Sequence, residues 1–436
     1  MDAAILVALI LGIGVTLFLI IGVPISVSVG IASVLAIFTI VDFDDGLLTS
    51  AQRMFTGMNS FTLLAIPFFV LAGGIMNNGG IAARLVNCAK VLSGRMPGSL
   101  AHTNTFANML FGSLSGSAVA AAAAVGSTMS PMQEKEGYKR EFSAAVNIGS
   151  APTGMLIPPS NIMIVYSLVS GGTSIAALFV AGYLPGILWG LGCILVALVI
   201  AKKRGYKSQI NLTFKQKLFV FIDAVPSLLL VVIVIGGIIG GVFTATEASA
   251  IAVVYALLLS FIYRTIKWKD LPAILLDATR TTSIVLFLIG VSSIMSWVMS
   301  FTNIPGLIAD TLLSLTGNMI IILLIMNLVL LLIGTFMDPT PAILIFTPIF
   351  LPIAQSFGMD PVHFGIIMVF NLSIGTITPP VGPVIFVGSR VAGLPIEGIV
   401  RPLLPFFAMA VVVLLIVVYV PSVSLLLPEA FNLISR

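Results

Sequence analysis

The chain has 436 residues, of which 59% are hydrophobic and 8% charged, with a formal net charge of +4 and a mean hydropathy of +1.19. So little charge over such a length excludes a soluble domain and reads as an all-α polytopic membrane protein in contact with lipid. The basic residues sit in short loops rather than in a patch, which argues against nucleic-acid binding, and no Gly-x-x-x-x-Gly-Lys-Ser/Thr loop is present to hold ATP.

No Lys or Arg precedes Arg53, and Asp42, Asp44 and Asp45 follow the second apolar run. The positive-inside rule therefore places the N-terminus outside, with spans at 3–20, 25–41 and 60–77. No basic leader precedes the first span, so no cleavable signal peptide is expected. In 80–93, Arg84, Asn87 and Lys90 share one helical face and Leu85, Ala89 and Leu92 the other, as in a short helix lying in the membrane plane. Segment 98–131 is apolar but interrupted by Gly112-Ser113-Leu114-Ser115-Gly116-Ser117. Arg95 precedes it and Lys135, Lys139 and Arg140 follow, so both ends belong inside and the segment reads as a re-entrant hairpin tipped near 113–117. Segment 141–169 crosses outward and 173–201 returns to the loop 202–217. There Lys202, Lys203, Arg204, Lys207, Lys215 and Lys217 gather without an acid. That loop is the longest polar connection, so any extracytoplasmic domain is expected on another polypeptide.

The second half repeats the plan. Spans are read at 218–239, 242–263 and 282–300, and Gly306-Leu307-Ile308-Ala309-Asp310 echoes Gly80-Ile81-Ala82-Ala83-Arg84. Segment 318–353 is a second hairpin turning near Asp338-Pro339-Thr340-Pro341, 361–389 crosses, and 402–420 leaves the C-terminus outside. Each half then holds five crossings and one hairpin. Five is odd, so 218–436 is expected to be inverted relative to 1–201, with 202–217 as the cytoplasmic link between repeats.

Both halves stop a crossing with the same device. Gly154-Met155-Leu156-Ile157-Pro158-Pro159 is followed 221 positions later by Gly375-Thr376-Ile377-Thr378-Pro379-Pro380. A proline ring lacks the N–H and crowds the preceding turn, so two in a row break a helix. Lipid does not tolerate bare backbone, so such breaks survive only inside protein or beside a watery cavity. Paired breaks in two halves mark the binding region of a secondary transporter. The half-helix starting at Pro159 or Pro380 offers N–H groups to an anion, and the preceding half and the hairpin tips offer carbonyls and hydroxyls to a cation such as Na⁺.

The candidates follow from that chemistry. Ser113, Ser115 and Ser117 are hydroxyls of the first tip, with tight packing or helix capping as their other use. Asn147, Ser150 and Thr153 precede the first break, and Ser160 and Asn161 follow it. Asn371, Ser373, Thr376 and Thr378 are the second-half set, with Gly382 just beyond. Of these, Ser160, Asn161, Asn371 and Gly382 are assigned to substrate, although local backbone bonding competes for each side chain. Asp338 is an acid deep in an apolar hairpin, either a cation ligand, an N-cap for a helix opening at Pro339, or both. Glu247 completes a capping box with Thr244. No catalytic residue or cofactor is expected. His102 and His363 are present, but Gly112-Ser113-Leu114-Ser115-Gly116 carries Leu where a nucleophile elbow needs Ser. Cys88 and Cys193 lie in apolar segments, and the sequon at Asn211-Leu212-Thr213 sits in the basic loop.

At these residues the chain resembles, over essentially its full length, the large membrane subunit of tripartite ATP-independent periplasmic transporters. The stretches that carry the likeness are Leu64-Ala65-Ile66-Pro67-Phe68-Phe69, Gly112-Ser113-Leu114-Ser115-Gly116-Ser117, Ile157-Pro158-Pro159-Ser160, Phe243-Thr244-Ala245-Thr246-Glu247-Ala248, Asp360-Pro361-Val362-His363-Phe364-Gly365 and Thr378-Pro379-Pro380. One departure is Ala245, where the family usually has proline. The resemblance implies a Na⁺-driven importer in the bacterial inner membrane with an elevator motion. It also implies two partners, a small four-helix membrane subunit and a periplasmic substrate-binding protein. It places Na⁺ between each hairpin and the neighbouring broken helix, at Ser113, Ser115, Ser117 and Ser150 in one half and Asp338, Thr376 and Thr378 in the other. The cargo implied is an organic acid. The alanine run after Ser117 resembles sialic-acid and other sugar-acid members, and C4-dicarboxylate is the alternative. A stand-alone ion-coupled anion transporter and a non-transporting scaffold are the competing readings. The neighbouring binding protein would separate the substrates.

Overall fold

The computed structural model describes residues 3–94, 96–206, 213–379 and 381–434. Arg95, Lys207 and the rest of 207–212, and the break residue Pro380 lie outside them. The first half runs α1 (Ala3–Ile20), α2 (Ile25–Ile37), α3 (Phe43–Met58), α4 (Ala65–Asn78, entered through a 3₁₀ turn at Phe61–Leu64) and α5 (Ile81–Ser93). It continues with α6 (Ser99–Ser115), α7 (Ala118–Lys135), α8 (Arg140–Ser150), α9 (Thr153–Leu156), α10 (Asn161–Val169) and α11 (Ile175–Arg204). The second half runs α12 (Phe214–Ile239), α13 (Ala245–Ile262), α14 (Leu271–Phe301), α15 (Ile304–Leu315), α16 (Met319–Gly334) and α17 (Pro339–Ser356). It closes with α18 (Pro361–Gly375), α19 (Pro383–Ala392), α20 (Ile396–Tyr419) and α21 (Ser422–Ala430).

The helix ends are set by local chemistry. Thr213 with Gln216 and Thr244 with Glu247 form capping boxes that start α12 and α13. Asn318, Asp338 and Asp360 accept backbone N–H bonds at the starts of α16, α17 and α18. Lys202, Lys203 and Arg204 fill the last turn of α11, where the helix dipole favours cations, and Gly205 ends it in the left-handed region.

Outer helices are two-faced by hydrophobic packing rather than by polarity. On α1, Leu9, Ile13 and Leu17 point outward at four-residue spacing while Val7 and Leu11 are buried; on α16, Leu324, Leu328 and Leu332 are outward and Met326 and Leu330 buried. An apolar outward face is what lipid requires. Among the described residues seven helices, including α11, α12, α13, α14 and α20, are long and apolar enough to cross alone. The broken crossings are the reverse case. Phe142–Ser150 of α8 and Val362–Gly375 of α18 are buried at every position. The irregular backbone of the first break, 151–160, is buried throughout, whereas the second break is buried up to Ile377 and opens at Pro379 and Val381, which are exposed.

Helices α2, α3, α4, α13 and α14 pack on one another, with α2 and α3 against α14 and α4 against α13. The other group holds the hairpins α6–α7 and α16–α17 with the broken helices and α11. Each hairpin's first arm packs on the broken helix of its own half, α6 on α8 and α9 and α16 on α18. Each second arm packs across, α7 on α19 and α17 on α10.

Several boundaries differ from the sequence reading. Helix α3 is an additional element: its polar residues (Asp44, Asp45, Gln52, Arg53) resembled a loop, but its other face docks on α14. The second span ends at Ile37 rather than 41, and α14 starts at Leu271 rather than 282, because Asp277 and Arg280 lower the hydropathy of a turn that is still helical. The second tip turns at 335–338, with Pro339 and Pro341 already inside α17, where proline's missing N–H has no partner to lose. The second half-helices begin at Asn161 and Pro383, not at Pro159 and Pro380.

Candidate functional site

At the first tip, Gly116 ends α6 with φ +61, a conformation that favours glycine. A Cβ on it would stand 3.0 Å from the carbonyl oxygen of Pro159, so the tip rests on the first break. Ser117 caps α7, its Oγ accepting from Ala120 N at 3.3 Å. One turn below, the backbones of Gly112 and Gly154 touch: a Cβ on either would fall 2.3 Å from the other's Cα. The second half uses the same contact. A Cβ on Gly375 would lie 2.5 Å from the carbonyl carbon of Gly334. Beyond Pro379, Val384 N donates to Thr376 O at 3.1 Å and Gly382 N to Thr378 O at 3.1 Å, folding the chain back over the end of α18. A Cβ on Gly382 would stand 2.6 Å from Thr376 O, so that fold needs glycine.

Below the tips, amides tie hairpin to broken helix. Asn108 Nδ2 stands 2.8 Å from Ser150 Oγ and 3.1 Å from Asn147 Oδ1. Asn371 Nδ2 donates to Asn327 Oδ1 at 2.6 Å. Asn371 and Ser150 are fully buried in these networks and do not line the cavity between the tips, and Ser160 Oγ is turned inward to Met155 O at 2.6 Å. Ser113, Ser150, Thr376 and Thr378 each donate to a carbonyl of their own helix, to Leu110, Val146, Ser373 and Ile374 at 2.7–2.8 Å. A hydroxyl whose proton is so committed presents only lone pairs to anything else.

Both tips and both breaks meet at one cavity of about 560 Å³. Ser115, Ser117, Asn161, Asp338 and Thr376 line it, as does Met155 between Gly154 and Pro158. The sequence-derived candidates Ser113, Ser150, Ser160, Asn371, Thr378 and Gly382 stand behind this wall. Asp338 Oδ1 accepts from Thr340 N at 3.1 Å, so its N-cap role is realised while the side chain remains open to the cavity. Asn161 Oδ1 is buried without a partner. Glu247 lies elsewhere, in its capping box, with Oε2 accepting from Thr244 N at 2.8 Å.

The opposite wall escaped the sequence reading. Asn77 and Asn78 at the end of α4 and Asp277 and Thr281 of α14 face the tips. The available signal was the i, i+4 spacing of Asp277 and Thr281 on one helical face. His102 is buried in α6 with Nε2 at 2.9 Å from Pro97 O, and His363 ties α18 to Ser424 of α21. Neither lines this cavity.

Broken helices and two hairpin tips around a mostly apolar cavity that carries a few polar side chains, Ser115, Ser117, Asn161, Asp277 and Asp338 among them, are the architecture of a membrane permease. The fold is also that of the YdaH transporter of Alcanivorax borkumensis, with a TM-score of 0.64 at 14% identity, covering 86% of this chain and 88% of that one. Residues 13–423 match the model of the tripartite ATP-independent periplasmic transporter, DctM component, and the chain belongs to that family. It is 58% identical to the uncharacterized protein YgiK of Salmonella typhimurium, over 95% of each. It is 40% identical to the C4-dicarboxylate large permease DctM of Pseudomonas aeruginosa (88% of this chain, 90% of that one). Identity to the sialic acid large permease SiaM of Vibrio cholerae is 38% (90% and 92%). The family's large permeases work with a small membrane subunit and a periplasmic binding protein.

Proposed function

We propose that this chain carries an organic acid inward across the bacterial inner membrane, driven by Na⁺ and supplied by its periplasmic binding protein. The observation that carries this is the convergence of both tips and both breaks on one cavity. Na⁺ takes oxygen ligands, and the committed hydroxyls of Ser113, Ser150, Thr376 and Thr378, with Ser115, Ser117, Asp338 and the freed carbonyls of the breaks, supply them. Asn161, at a helix start and with an unpaired amide oxygen, faces the substrate; Ser160, Asn371 and Gly382 hold the backbone behind it. Gly154, Pro158, Pro159, Gly375, Pro379 and Pro380 keep the gaps open. Residues 1–201 and 218–436 act as inverted repeats around the cytoplasmic loop 202–217, leaving both termini outside. The hairpins and broken helices move as one body along α4 and α14, the elevator motion.

The acid is a sugar acid of the sialic-acid kind in our reading, with a C4-dicarboxylate as the alternative. The relatives named for these two substrates stand at 38% and 40%, so identity favours neither. The test is Na⁺-dependent uptake in proteoliposomes holding both membrane subunits, with binding protein added. Equal uptake with K⁺ in place of Na⁺ would remove the coupling claim. Uptake by the large subunit alone would favour the stand-alone reading.

A further inference from the structure

A second cavity, of about 490 Å³, lies toward the C-terminal end of α14. Residues Ile274–Leu288 of α14 belong to the first cavity and Ile289–Ser300 to the second, so the two are consecutive along one helix. Two polar faces meet in the second. Helix α3 and its following turn bring Arg53, Thr56 and Ser60, and α14 brings Ser292, Ser296 and Ser300 at four-residue spacing. The guanidinium of Arg53 lies 5.5 Å from the Trp297 ring centroid, which fixes its plane and leaves its N–H edge available. Ser292 is 2% exposed, and its Oγ has no hydrogen-bond partner although it lines this cavity. A buried hydroxyl is seldom left unpaired without a group to receive it.

The charge of the two cavities is opposite. Among the described residues, Arg53 is the one charged group lining the second, and Asp277 and Asp338 are the charged groups lining the first. We propose that Arg53 and the serine face of α14 form an outer entry subsite, which takes a monocarboxylate bearing hydroxyl groups before the hairpins carry it inward. Arg53 meets the carboxylate through two parallel N–H bonds. Ser292, Ser296 and Ser300 meet the hydroxyls. Asp277 faces the acid on the inner side and favours its release there. The inference rests on the organic-acid reading given above.

The test is Na⁺-driven uptake by the complete complex in proteoliposomes, with N-acetylneuraminate, galacturonate, succinate and isethionate as probes. For N-acetylneuraminate or galacturonate, whichever the wild type takes up, Arg53→Gln should raise the half-saturating concentration about tenfold, with the Na⁺ dependence unchanged, and uptake of succinate or isethionate alone overturns the hydroxy-monocarboxylate subsite. Arg53→Lys should fall between, because it keeps the charge and loses the paired bonds. Should Arg53→Gln not assemble, Ser292→Ala carries the test, with an expected rise of about threefold. An unchanged half-saturation in the assembled variant overturns the subsite while leaving the organic-acid reading standing. A defect seen with anionic phosphatidylglycerol in the liposomes and lost in phosphatidylcholine alone assigns Arg53 to a lipid phosphate and overturns it too. Uptake of none of the four acids by wild type overturns the organic-acid reading, and the subsite with it.

Discussion

Gly112 and Gly154 touch backbone to backbone, and a Cβ on either would stand 2.3 Å from the other's Cα. The contact joins the first hairpin to the first broken helix, and Gly334 with Gly375 joins the second pair. The clearance is not the same throughout, since a Cβ on Gly334 would meet Gly375 Cα at 3.1 Å. Gly112→Ala should therefore lower the stability of the purified complex by about 1–3 kcal/mol, as overpacking does, and Gly334→Ala by less. Thermal unfolding of both variants checks the order.

Asp338→Asn separates charge from capping. Asparagine caps a helix as well as aspartate does, so the bond to Thr340 N survives and unfolding should shift by no more than about 0.5 kcal/mol. The half-saturating Na⁺ concentration for uptake should rise several-fold, because a hard cation loses a charged oxygen. An unchanged Na⁺ dependence would restrict Asp338 to the cap.

Arg84 pins the amphipathic helix α5 to its neighbours. Its guanidinium lies 3.4 Å from the Tyr263 ring centroid and its Nε 3.3 Å from Asp223 Oδ1. The ion pair is partly open to solvent and adds little; the ring contact and the buried stem carry more. Arg84→Ala should cost about 1 kcal/mol in unfolding, and Asp223→Asn less than half of that.

What the sequence revealed and what it hid follow one rule. Hairpins and breaks were legible because the doubled prolines at 158–159 and 379–380, the Gly/Ser run at 112–117 and the acid Asp338 interrupt apolar stretches, whereas single prolines such as Pro185 of α11 and Pro226 of α12 stay within a helix. Helix α3 and the first three turns of α14 were not, because Asp44, Asp45, Arg53, Asp277 and Arg280 make helical turns read as loops. The loss was functional: Asp277, Thr281 and Arg53, which line the two cavities, lie on those segments. Ser113, Ser150 and Ser160 were found by residue type, but only the fold shows that they stand behind the wall. Hydroxyl orientation is set by which carbonyl each meets, and residue spacing does not determine that.

The central claim is that the unwound backbone at the breaks is what transport uses. Replacing Pro158 and Pro159 together with alanine favours a continuous helix by removing residues that cost a helix interior about 3 kcal/mol each. The most direct measurement is Na⁺-driven uptake by the Pro158→Ala/Pro159→Ala double variant, with thermal unfolding on the same preparation. An assembled complex of equal or higher stability with uptake lost is the expected result. Full uptake by that variant would contradict it.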